Sequence, residues 1–589
     1  MRWPRPGFWR DARSAIRSPR FGVILPPAAD LTGGTLGLVS LRERAPALDP
    51  RALAAGALAW GIGALISFRF VIASSFDVIF GDRGDGRLII YLHEHLFRAL
   101  VGRADFLSPP FFYPQKHVLG FSDAFLLDTP PYAALRLIGL DPFSSFQIWA
   151  MVLSFLCFLA SFVICMRYLR LRATFAICAA ALITFPNNLM FKTDIAHLQF
   201  FAVYYVALIV LLALWGIEDF PRVTPWSLAR VGIATLLFGL LFATSYYVAW
   251  LFLLTAVIAA CAGGIMRRDE LVAAVRTYWR PALALLGAAM AGFVVGVIPF
   301  ALIYAPAWAI VPGRTYRDFV SFSPFPKDVI NVGVGNMVWG WLVERLSFDP
   351  GSEHVLAVTP GMTAVFLVLA FRLHKDEQHA DQRPWQLTFF VVCALVWIAS
   401  WLLVTRIGTF SLFWPVHYLV PGASGIRAGG RIQLLANIWV AVGLAVVLQY
   451  WIDTAPSARR RSRVLWSGII LAFCLIEQMN TLPVRTLSRS REFAWLATVP
   501  PPPAECGAFL VNVRTQTRNF LNEDDALWLS WRTGLPTLNG ESGWNPPGWT
   551  LKDKNVNYFD AALRWIARTG VKEEVCTFGG DDWNWSKLR

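Results

Sequence analysis

Charged side chains are scarce in this 589-residue chain: Asp, Glu, Lys and Arg make up 16%, against 56% hydrophobic residues and a mean hydropathy of +0.49. A soluble globular domain carries about a quarter charged residues, so that class is excluded and a polytopic membrane protein is predicted. The phosphate-cradling pattern G-x-x-x-x-G-K-[ST] is missing, and no internal repeat is visible. No small-residue cleavage site ends the first apolar stretch, so a cleavable leader is not expected. Acidic residues are outnumbered, which leaves a net charge of +14. In a soluble chain that charge would suggest nucleic acid. Here the arginines cluster between apolar runs, where they orient spans, and no nucleic-acid partner is expected.

The apolar runs place spans at roughly 52–74, 146–166, 173–186, 197–215, 228–243, 246–264, 281–303, 355–372, 386–405, 431–452 and 464–480, eleven in all. Arginine-bearing connections at 167–172 (Arg167, Arg170, Arg172), 265–280 (Arg267, Arg268, Arg276, Arg280) and 453–463 (Arg459, Arg460, Arg461, Arg463) fall on one side, together with the segment from Arg2 to Arg20. Cytoplasmic loops carry the excess of Lys and Arg, so the N-terminus is expected in the cytoplasm. The loops at 75–145, 187–196, 304–354 and 406–430, and the region from 481, then face outward. This topology depends on Thr244-Ser245-Tyr246-Tyr247 splitting 228–264 into two spans; a single span there would reverse all that follows. Three regions result: a basic cytoplasmic segment 1–51, a transmembrane domain 52–480 with the large outer loop 75–145, and an extracytoplasmic C-terminal domain 481–589.

The outer loop contains FDVIFGDRGDGRLIIYLHEHLFRAL, residues 76–100. Leu88, Leu92, Leu96 and Leu100 recur every four residues, with Arg87, Tyr91, Glu94 and Arg98 on a second stripe, which predicts an amphipathic helix at the membrane interface. A second helix is expected from Phe125 to Leu140. The turn Gly81-Asp82-Arg83-Gly84-Asp85-Gly86 is explained on its own terms by Asp85 as the N-cap of the helix that follows. His93 and His95 stand two apart on a helix and do not face the same way, so they form no metal pair. Glu94 has a plain partner in Arg98 four residues on.

Other polar groups gather at the outer ends of spans. His197 and Gln199 begin the fourth, after Lys192-Thr193-Asp194, and Arg427-Ala428-Gly429-Gly430-Arg431 opens the tenth. Arginine at an outer boundary runs against the charge bias and suits a phosphate through its paired donors. Snorkelling to the headgroups explains either arginine alone equally well. The pair flanking Gly429 and Gly430, where backbone can come close to a ligand, points to an anion site. Of eight cysteines, Cys157, Cys165, Cys178, Cys261, Cys393 and Cys474 lie in or beside spans as small apolar residues. Cys506 and Cys576 lie in the tail and are disulfide candidates in an oxidising compartment. A strand AFLVNV and helices NEDDALWLSWRTG and VNYFDAALRWIARTG suggest a small α/β domain there, while SGWNPPGW either stacks on sugar or forms a rigid interfacial loop.

A first span followed at once by an outward aspartate and a juxtamembrane helix, then FFYP, LGFSDAFLLDTPPYAALRLIGLDP, an outer HLQ, RAGGR before a late span and LNGESGWNPPGW in the tail, resembles bacterial membrane proteins of the GT-C glycosyltransferase superfamily. The resemblance implies a mainly α fold: a polytopic transmembrane helical bundle with a small α/β extracytoplasmic C-terminal domain. It implies a glycosyltransferase, hexosyl or pentosyl, that passes a sugar from a polyprenyl-phosphate-linked donor to a glycan, lipid or protein acceptor on the outer face of the cytoplasmic membrane. In such enzymes an aspartate just after the first span serves as base or positions the acceptor. Asp85 matches best and Asp82 is close behind, because GDRGDG stands where those enzymes have a more compact acidic pair. Glu94 and Asp123 are then candidates to orient the acceptor or hold a divalent cation, Mg or Mn, since some relatives use a metal and others do not. Arg427, Arg431, His197 and Gln199 are candidates for the donor phosphate.

The rival reading is a transporter or flippase of a lipid-linked glycan. Transporters place ionisable groups near the membrane midplane and carry repeated halves. Arg69, near the end of the first span, is the main intramembrane charge here. A structural assembly factor would explain the spans but not the polar groups of the outer loop.

Overall fold

The computed structural model describes residues 49–311, 313–349, 351, 353–376, 384–481, 487–512, 519–579 and 584–588. The basic segment expected over 1–51 lies almost wholly outside the described residues. Each of the eleven apolar runs corresponds to a helix. Among the described residues nine helices are long and apolar enough to cross a membrane: Pro50–Ser67, Pro142–Tyr168, Ala173–Ile195, Leu198–Gly216, Pro225–Thr244, Tyr246–Met266, Arg268–Trp308, Trp385–Val404 and Gly429–Asp453. The other two fall short for plain reasons. Pro360–Asp376 is apolar only as far as Phe371, and Ser457–Ile476 opens on Arg459, Arg460, Arg461 and Arg463.

Local sequence sets where these helices begin. Proline at the first position has a fixed φ suited to a helix and no N–H to leave orphaned, and a capping side chain takes up the next donors. Asp141 accepts from the Phe143 and Ser144 N–H groups, each at 3.0 Å, ahead of Pro142. Thr224 accepts from Ser227 N–H at 3.1 Å ahead of Pro225. The run 228–264 is divided at Ser245, which is extended at φ −152° and ψ 103°. Asp123 Oδ1 accepts from Tyr246 N–H at 3.0 Å and so holds the start of the second helix. Pro225–Thr244 packs closely along Arg268–Trp308 because small residues face each other: a Cβ at Gly292 or Gly296 would overlap the carbonyl of Gly232 or Leu236.

The C-terminal segments fold against the loop that follows the first span. Ala508–Asn512 pairs in parallel with Val575–Gly579, which pairs antiparallel with Asn584–Lys587. Cys506 and Cys576 form a disulfide with Cα atoms 5.7 Å apart. The helices Asn519–Thr533 and Tyr558–Thr569 correspond to the two helical stretches read from sequence. Val78–Ile79 pairs with Leu487–Ser488, Phe112 N–H donates to Asn539 O at 2.7 Å, and the Phe143 and Trp528 rings stack at 4.6 Å. These contacts bring residues 487–588 onto the stretch 76–143.

Candidate active site

The helix Asp85–Leu100 does not lie on a membrane surface. Both of its stripes are covered: Leu88, Leu92 and Leu96 are buried, and so are Arg87, Tyr91 and Glu94. The cover is shared by Thr129–Leu137, Pro142–Val163 and the C-terminal helix Asn519–Thr533, and the sequence pattern of this helix does not reveal it. Arg87, fully buried, donates from Nη1 to Asp525 Oδ1 at 2.5 Å and pairs through Nη2 with Glu492 Oε2 at 3.0 Å. Two carboxylates thus compensate one guanidinium that could not otherwise be desolvated. The second expected helix is shorter than 125–140, running Thr129–Leu137, and it faces Glu94.

The Glu94 carboxylate is engaged at both oxygens by side chains. Arg136 grips it with two donors, Nε to Oε2 at 2.7 Å and Nη2 to Oε1 at 3.0 Å. Tyr132 OH at 3.0 Å and Trp531 Nε1 at 3.1 Å complete the set. Arg98, the partner expected from spacing, is more distant at 3.9 Å. Nine residues along the helix from Asp85, at 1.5 Å each, also put Glu94 about 13 Å from the turn.

In the turn itself the N-cap is Gly84, not Asp85. Asp82 Oδ1 accepts from the Gly84 and Gly86 N–H groups, both at 3.1 Å, so Asp82 builds the turn. Burial, with Asp85 nearby, raises the Asp82 carboxyl above its ordinary value against the pull of the Gly86 N–H. Asp85 is the first residue of the helix and keeps 47% of its side chain exposed, with Oδ2 3.2 Å from His197 Nδ1. Burial opposes its charge, but the His197 contact and the charges of His197, Arg431 and Lys552 hold its carboxyl below the usual value. Asp82 thus engages backbone through Oδ1, whereas Asp85 engages a side chain, His197.

His197 connects this carboxylate to a buried charge cluster. Its Nε2 lies 3.2 Å from Glu353 Oε1. Glu353 also receives Arg431 Nη2 at 2.5 Å, Arg431 Nε at 3.1 Å and Lys192 Nζ at 3.2 Å. Burial would push the Glu353 carboxyl up, yet Arg431 and Lys192 hold it well below the usual range. Arg431 is further placed by the rings of Tyr247 and Phe200, 4.7 and 5.0 Å from its guanidinium carbon. Asp123 feels Arg431 too, but burial dominates and its carboxyl is pushed up to about 6.

Arg427 does not join this cluster. Its guanidinium stacks on Phe322 at 4.4 Å and acts electrostatically on Arg314 and Asp318. Gln199 follows His197 in the turn Leu198–Val203, and its Oε1 is buried with no hydrogen-bond partner. Among the described residues no three His, Cys, Asp or Glu are set to hold a metal ion.

Three groups of the C-terminal region that interact electrostatically with Asp85, namely Asp524, Glu541 and Lys552, were not singled out from sequence. Asp524 is 1% exposed with neither carboxylate oxygen hydrogen-bonded, and it approaches Gly84. Burial and the neighbouring Glu541 raise its carboxyl well above the ordinary value, against Arg87 and Lys552. Glu541 pairs with Lys552, and burial raises it as well. Of the SGWNPPGW tryptophans, Trp549 is buried against Phe112 at 4.8 Å and Trp544 carries Arg314 at 3.8 Å, so both have structural partners.

No family model and no curated protein matches the chain. Among solved structures it is similar to the Archaeoglobus fulgidus oligosaccharyltransferase in complex with Zn and sulfate, at 14% identity and a TM-score of 0.41, over 88% of this chain and 68% of that one. It is also similar to ArnT from Cupriavidus metallidurans bound to undecaprenyl phosphate, at 11% identity and a TM-score of 0.41, over 90% and 93% of the two chains. A likeness of that strength assigns no chemistry to any residue.

Proposed function

We propose that this chain is a membrane glycosyltransferase that moves a sugar from a polyprenyl-phosphate-linked donor to a hydroxyl- or amine-bearing acceptor, with Asp85 as the general base. One observation carries the reading: a half-exposed carboxylate, Asp85, stands 3.2 Å from His197, and His197 leads to the buried cations Arg431 and Lys192. Such a site pairs a proton acceptor with fixed positive charge, as transfer away from a phosphate requires. The acceptor O–H or N–H attacks the anomeric carbon, the bond from that carbon to the phosphate oxygen breaks, and the proton passes to Asp85. The negative charge that develops on the departing polyprenyl phosphate is met by Arg431 and Lys192. Asp524, Glu541 and Lys552 act on the charge at Asp85 or feel it, and they line the acceptor side. In this reading the site opens on the outer face of the cytoplasmic membrane, and residues 481–589 form an extracytoplasmic domain over it.

Membranes containing the wild type or Asp85→Asn, at matched expression, are supplied with undecaprenyl-phosphate sugars, and products are identified by mass spectrometry. Product from the wild type and its loss in Asp85→Asn is the expected result. Full transfer by Asp85→Asn would remove Asp85 from the chemistry. Movement of donor across the bilayer without any product would replace the transferase by a transporter.

A further inference from the structure

Lys192, His197 and Arg431 come from three separate segments, the helix Asn187–Ile195, the residue that precedes the turn Leu198–Val203, and the turn Gly429–Ile432. All three reach one carboxylate. Glu353 takes two donors on each oxygen: Arg431 Nη2 at 2.5 Å and His197 Nε2 at 3.2 Å on Oε1, Arg431 Nε at 3.1 Å and Lys192 Nζ at 3.2 Å on Oε2. A planar anion held by a guanidinium fork, an ammonium and an imidazole presents two oxygens of a phosphoryl group in shape and charge.

The charge balance distinguishes this cluster from the other buried ion pairs. Arg87 and Arg83 together face two carboxylates, Asp525 and Glu492. At Glu353 two permanent cations and an imidazole converge on one carboxylate, and the next carboxylate, Asp85, is on the far nitrogen of His197. Removing two cations from water is costly unless anions match them, and a phosphoryl group carries more charge than the carboxylate that stands there. Lys192 and Arg431 stand on helical segments, whereas Glu353 belongs to the connection between Arg345 and Pro360. The neighbouring His354 is anchored independently, with Nδ1 2.7 Å from Asp328 Oδ2, so rotation of the Glu353 side chain alone would vacate the cluster.

We propose that Lys192, His197 and Arg431 form a phosphoryl-binding site, and that Glu353 is its internal occupant, which the phosphate of an incoming ligand displaces. Only the identity of that ligand as a polyprenyl phosphate rests on the function proposed above. Displacement then does two things: it neutralises the cations with the ligand's own charge, and it releases the His197 nitrogen that Glu353 engages, so that occupancy of the phosphate site is felt at Asp85.

The test titrates the full chain in lipid nanodiscs with undecaprenyl phosphate and, separately, with inorganic phosphate. Wild type, Glu353→Gln, Glu353→Asp and Glu353→Gln/Arg431→Gln are compared, with melting temperature as the control for folding. An occupant present about nine-tenths of the time lowers apparent affinity about tenfold. Glu353→Gln is therefore expected to bind both probes about tenfold more tightly than wild type, Glu353→Asp by a smaller factor, and the double variant to lose the gain. Tighter inorganic phosphate with no change in undecaprenyl phosphate would uphold the site and count against the lipid donor. Unchanged or weaker binding of both probes, in whichever single variant melts like the wild type, would overturn the proposal.

Discussion

The two ends of the helix Asp85–Leu100 treat a carboxylate in opposite ways. At Glu94 both oxygens are engaged by a two-pronged arginine, a phenol and an indole, and water has no access. At Asp85 one side of the carboxylate touches a histidine and almost half of the side chain remains open. Saturated hydrogen bonding fixes a fold, and a buried group that loses its partners costs the protein dearly. A carboxylate left partly unsaturated beside buried cations is available to a substrate. A related contrast separates two buried, paired arginines: Arg87 shares two carboxylates with Arg83, and Arg431 shares one with Lys192.

Substitutions that leave shape alone sharpen this contrast. Asp85→Asn is expected to reduce transfer by about 10²–10⁴-fold, the span of a general base, while the melting temperature falls far less than in Arg87→Ala. An equal loss of stability would break the distinction. Arg87→Ala strands Asp525 and Glu492 and is expected to destabilise the docking of the C-terminal segments by about 3–5 kcal/mol, read as new proteolysis between 487 and 588. Glu94→Gln weakens a saturated cluster and should cost about 1–3 kcal/mol, while transfer per folded molecule stays the same; a selective loss of transfer would return Glu94 to the chemistry.

The smallest effect concerns Asp123, whose carboxyl sits at about 6 instead of 3.8 because of burial. A raised acid in the fold means that the unfolded chain ionises first, so stability falls as pH climbs from about 4 to about 6 and then levels. Asp123→Asn keeps an acceptor for Tyr246 N–H but cannot ionise. Its melting temperature relative to wild type is expected to rise over that interval, and a parallel pair of curves would show that Asp123 carries no such penalty. The Asp85 and Glu353 carboxyls, both lowered, act in the other direction. Their contribution is present above the ordinary carboxylate range and is lost as pH falls through their folded values.

The helices were legible because a run such as 386–405 has no polar face to offer water, and because Ser245 with its neighbours interrupts an apolar run with hydroxyl groups. Asp85, His197 and Arg431 were legible as polar groups at span ends, where the membrane gives no reason for them. Glu353 was not, because Glu344, Asp349 and Glu353 all read as solvated loop carboxylates, and no spacing selects among them. The signal present was the position of Lys192 and Arg431 at the outer ends of spans, where cations require some carboxylate without naming it. Asp524 was hidden in a different way: an acidic run at a helix start is explained by the helix dipole alone. The interfacial placement of 88–100 failed because periodicity reports two faces but not what covers them, and here the cover comes both from the nearby helices Thr129–Leu137 and Pro142–Val163 and from residues more than four hundred positions away.

That separation imposes a timetable on synthesis. Arg87 and Asp525 are 438 residues apart, and at about 5–20 residues per second the ribosome needs roughly 20–90 s to make the second after the first. Throughout that interval the helix Asp85–Leu100 has emerged with a guanidinium whose carboxylates, Glu492 and Asp525, are still to come. A chain cut short before Glu492 keeps its spans but leaves that guanidinium without either partner. The contact that closes the fold therefore waits until translation has passed Asp525.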